Sequence, residues 1–271
     1  MLKFQPKIFF LDLDGTFLDD KKSPKLISDE NVEAMKKLND SGIPVILSTG
    51  RGNSEFVLDL ANRIHSQYVI CQNGGLIVDK NNNILAKHEI KKDTVMEIID
   101  ILKKENLFFI FNSGKTIYCP HFKLKLVRAW LKKLEQKTYE EVPKIENSTK
   151  ILTFGKTKKG ILKLRDDLAS KFNQVSLHVV SKGYSIEIND IDATKGKAEK
   201  FVCDLMNIDS QYAVHLGDSG NDTTTVPYIG AFVAMKNSQR NVKKQAAYIG
   251  FNYKKAGVAR TIEKIMNKEN K

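Results

Sequence analysis

The first apolar run of the chain, Ile8-Phe9-Phe10-Leu11, ends in Asp12-Leu13-Asp14-Gly15-Thr16. Two carboxylates so close together at the end of a segment fit only for burial need a compensating charge. Three further polar clusters end or begin apolar segments. These are Ser48-Thr49-Gly50-Arg51, Lys195-Gly196, and Gly217-Asp218-Ser219-Gly220-Asn221-Asp222. Asp12, Asp14 and Asp218 gathered at one edge would repel one another and raise each other's pKa values. A hard divalent cation such as Mg2+, which takes oxygen ligands and keeps room for water and phosphate, offsets that repulsion. Lys195 adds a fixed positive charge, and Thr49 with neighbouring N–H groups adds hydrogen-bond donors. The set describes a pocket for a phosphoryl group, whose transfer depends on positioning and charge neutralisation.

The intervening segments determine whether these clusters can meet. Lys7–Leu13 reads as a buried strand. Ser28–Gly42 reads as a helix with Ser28 as N-cap, an apolar face of Val32, Met35 and Leu38, and Gly42 beyond its end. Ile43–Ser48 is a second buried strand, Ser54–His65 a second helix, and Tyr68–Gln72 a third strand. This alternation predicts an α/β fold, a Rossmann-like doubly wound parallel sheet. Ligands bind such sheets beyond the carboxyl ends of the strands, where the polar clusters fall.

After Asn73-Gly74-Gly75 the rhythm changes. Two short apolar segments flank the polar turn Lys80–Asn83 as a hairpin. A helix (93–105), a strand (107–111), a helix around Lys123–Leu134, a strand (150–155), a helix (158–171) and two strands (175–180 and 184–188) follow. Residues 83–185 therefore read as an α+β domain inserted into a core made of 1–82 and 186–271. From Thr194 the first pattern resumes: a helix, the strand Ala213–Gly217, a helix, the strand Ala231–Met235 and a last amphipathic helix over Val258–Met266.

The 271 residues, 41% hydrophobic and 28% charged, suit a globular protein with one large domain or two. No apolar run approaches the ~20 residues that span a bilayer. The N-terminal run stops at Asp12, unlike a signal peptide, so the expected address is the cytoplasm. Cys71, Cys119 and Cys203 are scattered without metal-like spacing, which fits a reducing compartment. The net charge of +12 is concentrated in residues 83–185, which hold 21 Lys or Arg against 11 Asp or Glu. That concentration favours an anionic partner, either a small phosphorylated compound or nucleic acid. No nucleic-acid-binding motif accompanies it, so nucleic acid is not expected. His215, inside Ala213–Gly217, reads as a core or sheet-face histidine, and His121 as a surface residue.

With the four clusters in this order, the chain resembles the haloacid dehalogenase superfamily in its Cof-type branch, which has a large α/β cap (class IIB). The resemblance spans essentially the whole length. It rests on DLDGT, STGR, KG and GDSGND, with Asn73-Gly74-Gly75 matching the element before the cap. It implies a Mg2+-dependent phosphatase acting on a small phosphorylated metabolite, such as a sugar phosphate, through an aspartyl-phosphate. Asp12 would be the nucleophile and Asp14 the acid–base. Thr49, Gly50, Lys195 and Asn221 would bind phosphate. The metal would fall to Asp12, the Asp14 backbone carbonyl and Asp218, with Asp222 a further metal residue and Asn221 supporting the site. Arg51 is equally a substrate contact or a structural ion pair, and Asn73 ties the hinge together, with contact to substrate as the alternative. The fourth motif has Gly220 where the family commonly has Glu, and Thr223-Thr224-Thr225-Val226 where a Met-Leu pair is common, implying altered helix packing beneath the site. Alternatives are a phosphomutase, a nucleic-acid-binding protein and a non-catalytic metabolite sensor.

Overall fold

The computed structural model of the chain describes residues 2–20, 22–125 and 134–267. In the first part of the chain lie β1 (Ile8–Leu11), α1 (Asp29–Asp40), β2 (Val45–Ser48), α2 (Glu55–Arg63), β3 (Tyr68–Cys71), β4 (Leu76–Asp79) and β5 (Ile84–Lys87). The middle part comprises α3 (Lys92–Lys104), β6 (Phe108–Phe111), β7 (Thr116–Cys119), β8 (Glu135–Thr138), β9 (Ile151–Phe154), α4 (Lys158–Lys171), β10 (Val175–Val180) and β11 (Ser185–Asp190). The last part has α5 (Lys195–Leu205), β12 (Ala213–Gly217), β13 (Ala231–Ala234), α6 (Arg240–Lys243), β14 (Tyr248–Ile249) and α7 (Gly257–Met266).

Two compact units result, Met1–Ala86 with Thr194–Lys271, and Lys87–Ala193. The boundaries lie slightly beyond the expected 83 and 185. Ile84–Lys87 joins the first sheet as β5, and Ser185–Asp190 pairs with β9 and β10 in the second.

In the first unit the strand order is β14-β13-β12-β1-β2-β3-β4-β5. Pairing is parallel from β14 through β3, and β4 runs antiparallel to β3. All four residues of β1 are buried, because both faces of the sheet are covered. Phe9 and Leu11 pack into one cluster with Val32, Met35, Val57, Leu60 and Ile262. Ile8 and Phe10 pack into another with Ala198, Val202 and Cys203 of α5. Two-sided burial explains why the strand reads as a continuous apolar run rather than an alternating one. Ser28 caps α1 by accepting from the Asn31 N–H at 3.4 Å, and Thr194 caps α5 by accepting from Lys197 at 3.2 Å.

The second unit has a mixed sheet, β10-β11-β9-β6-β7-β8. One face packs on α3 and α4 through Val95, Ile98, Leu102, Ile161, Leu164 and Leu168 against Phe109, Ile151 and Ile188. Strands β7 and β8 were not anticipated from the sequence. The helix expected around Lys123–Leu134 falls largely on 126–133, outside the described residues.

One expected helix is absent. Between β12 and β13 the chain makes only a short 3-10 turn over Asp222–Thr225. The hydroxyls of Thr223, Thr224 and Thr225 each donate at 2.7 Å to the carbonyl three residues back. Such local bonds compete with a regular helix, and Pro227 follows at once.

Candidate active site

All four polar clusters lie at the carboxyl edge of the parallel strands or at the amino end of α5, within the first unit. Asp12 directly follows β1 and is 5% exposed. Its Oδ1 accepts from Lys195 Nζ at 2.7 Å, and the same ammonium donates to Asp222 Oδ1 at 2.6 Å. Lys195 is fully buried at the start of α5. Burial disfavours its charge, but Asp12 and Asp222 more than reverse that and hold its pKa above the ordinary value.

The loop after β12 is organised by Asp222. Its Oδ2 accepts from the backbone N–H groups of Asp218 and Ser219, each at 2.8 Å. Its Oδ1 faces Lys195 and also His215 Nε2 at 2.9 Å. Burial alone would raise the Asp222 carboxyl, yet Lys195 and His215 hold it well below the usual range. Gly217 leaves space for this arrangement, since a Cβ there would lie 2.2 Å from Asp222 Cγ.

Asp218 faces the opposite balance. Burial, and then the charges of Asp12 and Asp222, push its pKa up to about 7. Asp12 is likewise pushed up to about 6, mainly by burial and only partly relieved by Lys195. Asp218 is set in place by Asn237, whose Nδ2 donates to Asp218 Oδ2 at 3.0 Å and to the Gly15 carbonyl at 2.8 Å. Gly15 has φ +84°, and a Cβ on it would come within 2.3 Å of Asp218 Oδ2. One oxygen each from Asp12, Asp218 and Asp222 lies within 4.8 Å of the others. Hard oxygen donors, two of them on carboxylates whose charge is incompletely compensated, fit a hard divalent cation.

Asp14 lies apart from this buried group, its side chain 63% exposed. Arg51 grips both of its oxygens, Nε to Oδ2 and Nη2 to Oδ1, each at 2.7 Å. Thr49 is buried, and its backbone N–H donates to Ile70 at 2.8 Å. Asn73 adopts the left-handed conformation (φ 61°), donates its N–H to the Thr49 carbonyl at 2.9 Å, and accepts from Asn221 Nδ2 at 2.8 Å. A Cβ on Gly50 would stand 3.0 Å from Asn73 Oδ1. The amide pair thus joins the loop after β3 to the loop after β12.

The model of the haloacid dehalogenase-like hydrolases matches residues 9–262. The chain belongs to that family. It is similar to the 5-amino-6-(5-phospho-D-ribitylamino)uracil phosphatase YcsE of Bacillus subtilis, with 28% identity over 94% of each chain. It is also similar to a phosphoglycolate phosphatase of Archaeoglobus fulgidus, with 27% identity over 90% of this chain and 89% of the relative. Among solved structures, the subclass IIB sugar phosphatase BT4131 superposes with a TM-score of 0.79 at 17% identity, covering 95% of this chain and 98% of the other. The protein is accordingly a hydrolase of the phosphatase kind, in the Cof-type branch.

For this haloacid dehalogenase-like hydrolase, the structure brings Asp12, Lys195, Asp218 and Asp222 together, with Thr49, Gly50, Asn73 and Asn221 on the adjoining loops. Asp14 is turned outward on Arg51. Asn237 and Glu199 were not singled out in the sequence. Asn237 lies in a loop after β13 with no motif to mark it. Glu199 lies one helical turn beyond Lys195 and so on the same face of α5, the only local sign of its proximity. Among the described residues no helix is long and apolar enough to cross a membrane.

Proposed function

We propose that this hydrolase is a Mg2+-dependent phosphomonoesterase that transfers the phosphoryl group of a small phosphorylated metabolite to Asp12 and then to water. The observation that carries this reading is the asymmetry of Asp12. One oxygen is held by Lys195, and the other receives no hydrogen bond from the described residues, so it is available to attack phosphorus. Lys195, with Thr49 and the N–H groups of its loop, would hold the phosphoryl oxygens. Asp14, released from Arg51, would protonate the leaving oxygen and then take a proton from the attacking water. Asp12, Asp218 and the Asp14 backbone carbonyl would hold the cation, with Asp222 and Asn221 ordering the loop behind them. Bound there, Mg2+ supplies charge neutralisation to the phosphoryl group and its nucleophile.

Curated relatives named for phosphorylated ribityl and glycolate compounds support a small phosphomonoester, such as a sugar phosphate, as substrate. The excess positive charge of the inserted segment supports an anionic ligand. Three cysteines, all free and buried, fit a cytoplasmic setting.

A panel of phosphorylated metabolites, scored for inorganic phosphate with and without Mg2+, tests the proposal. Turnover should require Mg2+ and vanish in folded Asp12→Asn. Activity that survives Asp12→Asn or excess EDTA overturns the mechanism, and transfer back to substrate without phosphate release would indicate a mutase.

A further inference from the structure

The reaction proposed above makes no use of His215, yet the protein buries it completely. The residue lies in β12 between Phe10 of β1 and Phe232 of β13, and its ring centroid is 5.9 Å from that of Phe232. An apolar side chain would suit such neighbours. Instead both ring nitrogens face carboxylates. Nε2 is 2.9 Å from Asp222 Oδ1. Nδ1 is 2.7 Å from Glu199 Oε1, an ionic contact rather than an aligned hydrogen bond. Glu199 is itself fully buried and accepts from Ser48 Oγ at 2.7 Å.

Buried ion pairs are poor sources of stability, because desolvation offsets their attraction and apolar replacements are often as stable. This pair therefore calls for another explanation, and Asp222 supplies one. Its Oδ2 is occupied by two backbone N–H groups. Its Oδ1 has two donors, His215 and Lys195, and Lys195 is shared with Asp12. With His215 removed, Oδ1 keeps Lys195 alone. Losing a donor leaves a buried carboxylate under-satisfied, and with the Lys195 contact already at 2.6 Å the oxygen can only claim a larger share of the same ammonium, turning its protons away from Asp12 and the phosphoryl position.

We propose that His215, braced by Glu199 and Ser48, is a positioning residue that fixes how Lys195 divides its ammonium between Asp12 and Asp222. It touches neither substrate nor the reacting oxygen; it acts through Asp222. Glu199 has a second consequence, because Ser48 immediately precedes Thr49, so the same network holds the end of β2 to α5. The effect on turnover rests on the proposed role of Lys195 in holding the phosphoryl group, whereas the geometric statement about Lys195 does not.

The test compares three variants with the wild-type chain. His215→Phe keeps a ring and removes both nitrogens. His215→Gln keeps one donor within reach of Asp222. Glu199→Gln keeps shape and hydrogen bonding while removing the charge, and so carries the least risk to folding. Two readouts are taken: kcat for phosphate release, and the side-chain ammonium 15N–1H resonance of Lys195, assigned by its loss in Lys195→Arg. His215→Phe should lower kcat at least tenfold and move the Lys195 resonance. His215→Gln should restore kcat to within about threefold of wild type and return the resonance towards its wild-type position. Glu199→Gln should fall between the two.

The proposal is overturned if folded His215→Phe turns over within twofold of wild type, or if His215→Gln is as impaired as the Phe variant. Should neither histidine variant fold, an unmoved resonance in Glu199→Gln has the same force. If the wild-type chain releases phosphate from no substrate, the phosphatase mechanism fails, and the Lys195 resonance still decides the positioning role.

Discussion

Replacing Asp218 by Asn should stabilise the protein in EDTA at pH 8, even though Asp218 belongs to the proposed metal site. Its carboxyl has an ordinary value of 3.8 and is pushed up to about 7 in the folded protein, by burial first and then by Asp12 and Asp222. A carboxyl whose folded value exceeds its unfolded value binds its proton more tightly in the native state. Folding stability therefore falls as pH rises from about 4 to about 7, and the penalty is complete above that. At about 1.36 kcal/mol per pKa unit, the full penalty is on the order of 4 kcal/mol. Removing the charge relieves burial and repulsion together, so a gain of about 3–4 kcal/mol is expected for Asp218→Asn at pH 8. The gain should shrink towards zero near pH 4. Asparagine can still accept from Asn237, so the loop geometry is kept. Urea titrations in EDTA at several pH values measure the difference, and a second series in excess Mg2+ should reverse it, because the cation stabilises only the chain that retains the carboxylate. The reasoning is refuted if Asp218→Asn is no more stable than wild type at pH 8 in EDTA, or if the difference does not grow with pH.

Two other substitutions probe neighbouring parts of the site. Gly15→Ala places a Cβ 2.3 Å from Asp218 Oδ2 at a φ of +84°, so it should destabilise the fold by about 1–3 kcal/mol and weaken Mg2+ binding in a calorimetric titration. Unchanged metal affinity would show that the close approach of Gly15 and Asp218 is dispensable. Arg51→Ala should change stability by less than about 1 kcal/mol in urea, since the ion pair with Asp14 is largely exposed. It should alter kcat by freeing Asp14, and wild-type kinetics in this variant would remove Arg51 from any role in orienting the proposed acid–base.

The parts of the site legible in the sequence are those with a local sign. Asp12, Thr49 and Asp218 each follow a buried parallel strand, where loops at the carboxyl edge form the ligand crevice, and Lys195 opens a capped helix. The unread parts depend on contacts across the chain. Asn237 reaches Gly15 across 222 positions, and Glu199 reaches Ser48 across 151. No periodicity or turn rule connects such pairs. His215 was legible as buried but not as charged in function, because a single histidine among apolar residues has the same pattern whether it fills space or holds a carboxylate. The helix expected after β12 failed for a different reason. The strand–helix alternation called for one, but three consecutive threonine hydroxyls bonded back to the chain and Pro227 followed at once. In the inserted unit, the short β7 and β8 derive order from pairing with each other, Thr116–Cys119 against Glu135–Thr138, rather than from a strong alternating pattern of their own.

The charges of the site sort themselves by partner, and the sorting indicates where a cation belongs. Glu199 is matched by His215, and Asp222 by Lys195 together with two backbone N–H groups. Among the described residues, the Asp12 side chain has a share of Lys195 alone, and that of Asp218 the neutral amide of Asn237 alone. The pKa directions follow the same division, with Asp222 held low while Asp12 and Asp218 are held high. If Lys195 belonged wholly to Asp12, the proposed nucleophile would be quenched by a permanent ion pair. If it belonged wholly to Asp222, nothing fixed would hold Asp12 in place. Sharing it leaves Asp12 oriented but under-neutralised, beside a second carboxylate in the same condition. That is an arrangement in which a divalent cation would gain much from binding, and in which its charge would favour the ionised form of the oxygen proposed to attack. In the proposed reaction, nucleophile activation and metal affinity would thus have one physical origin, the shortage of positive charge around Asp12 and Asp218.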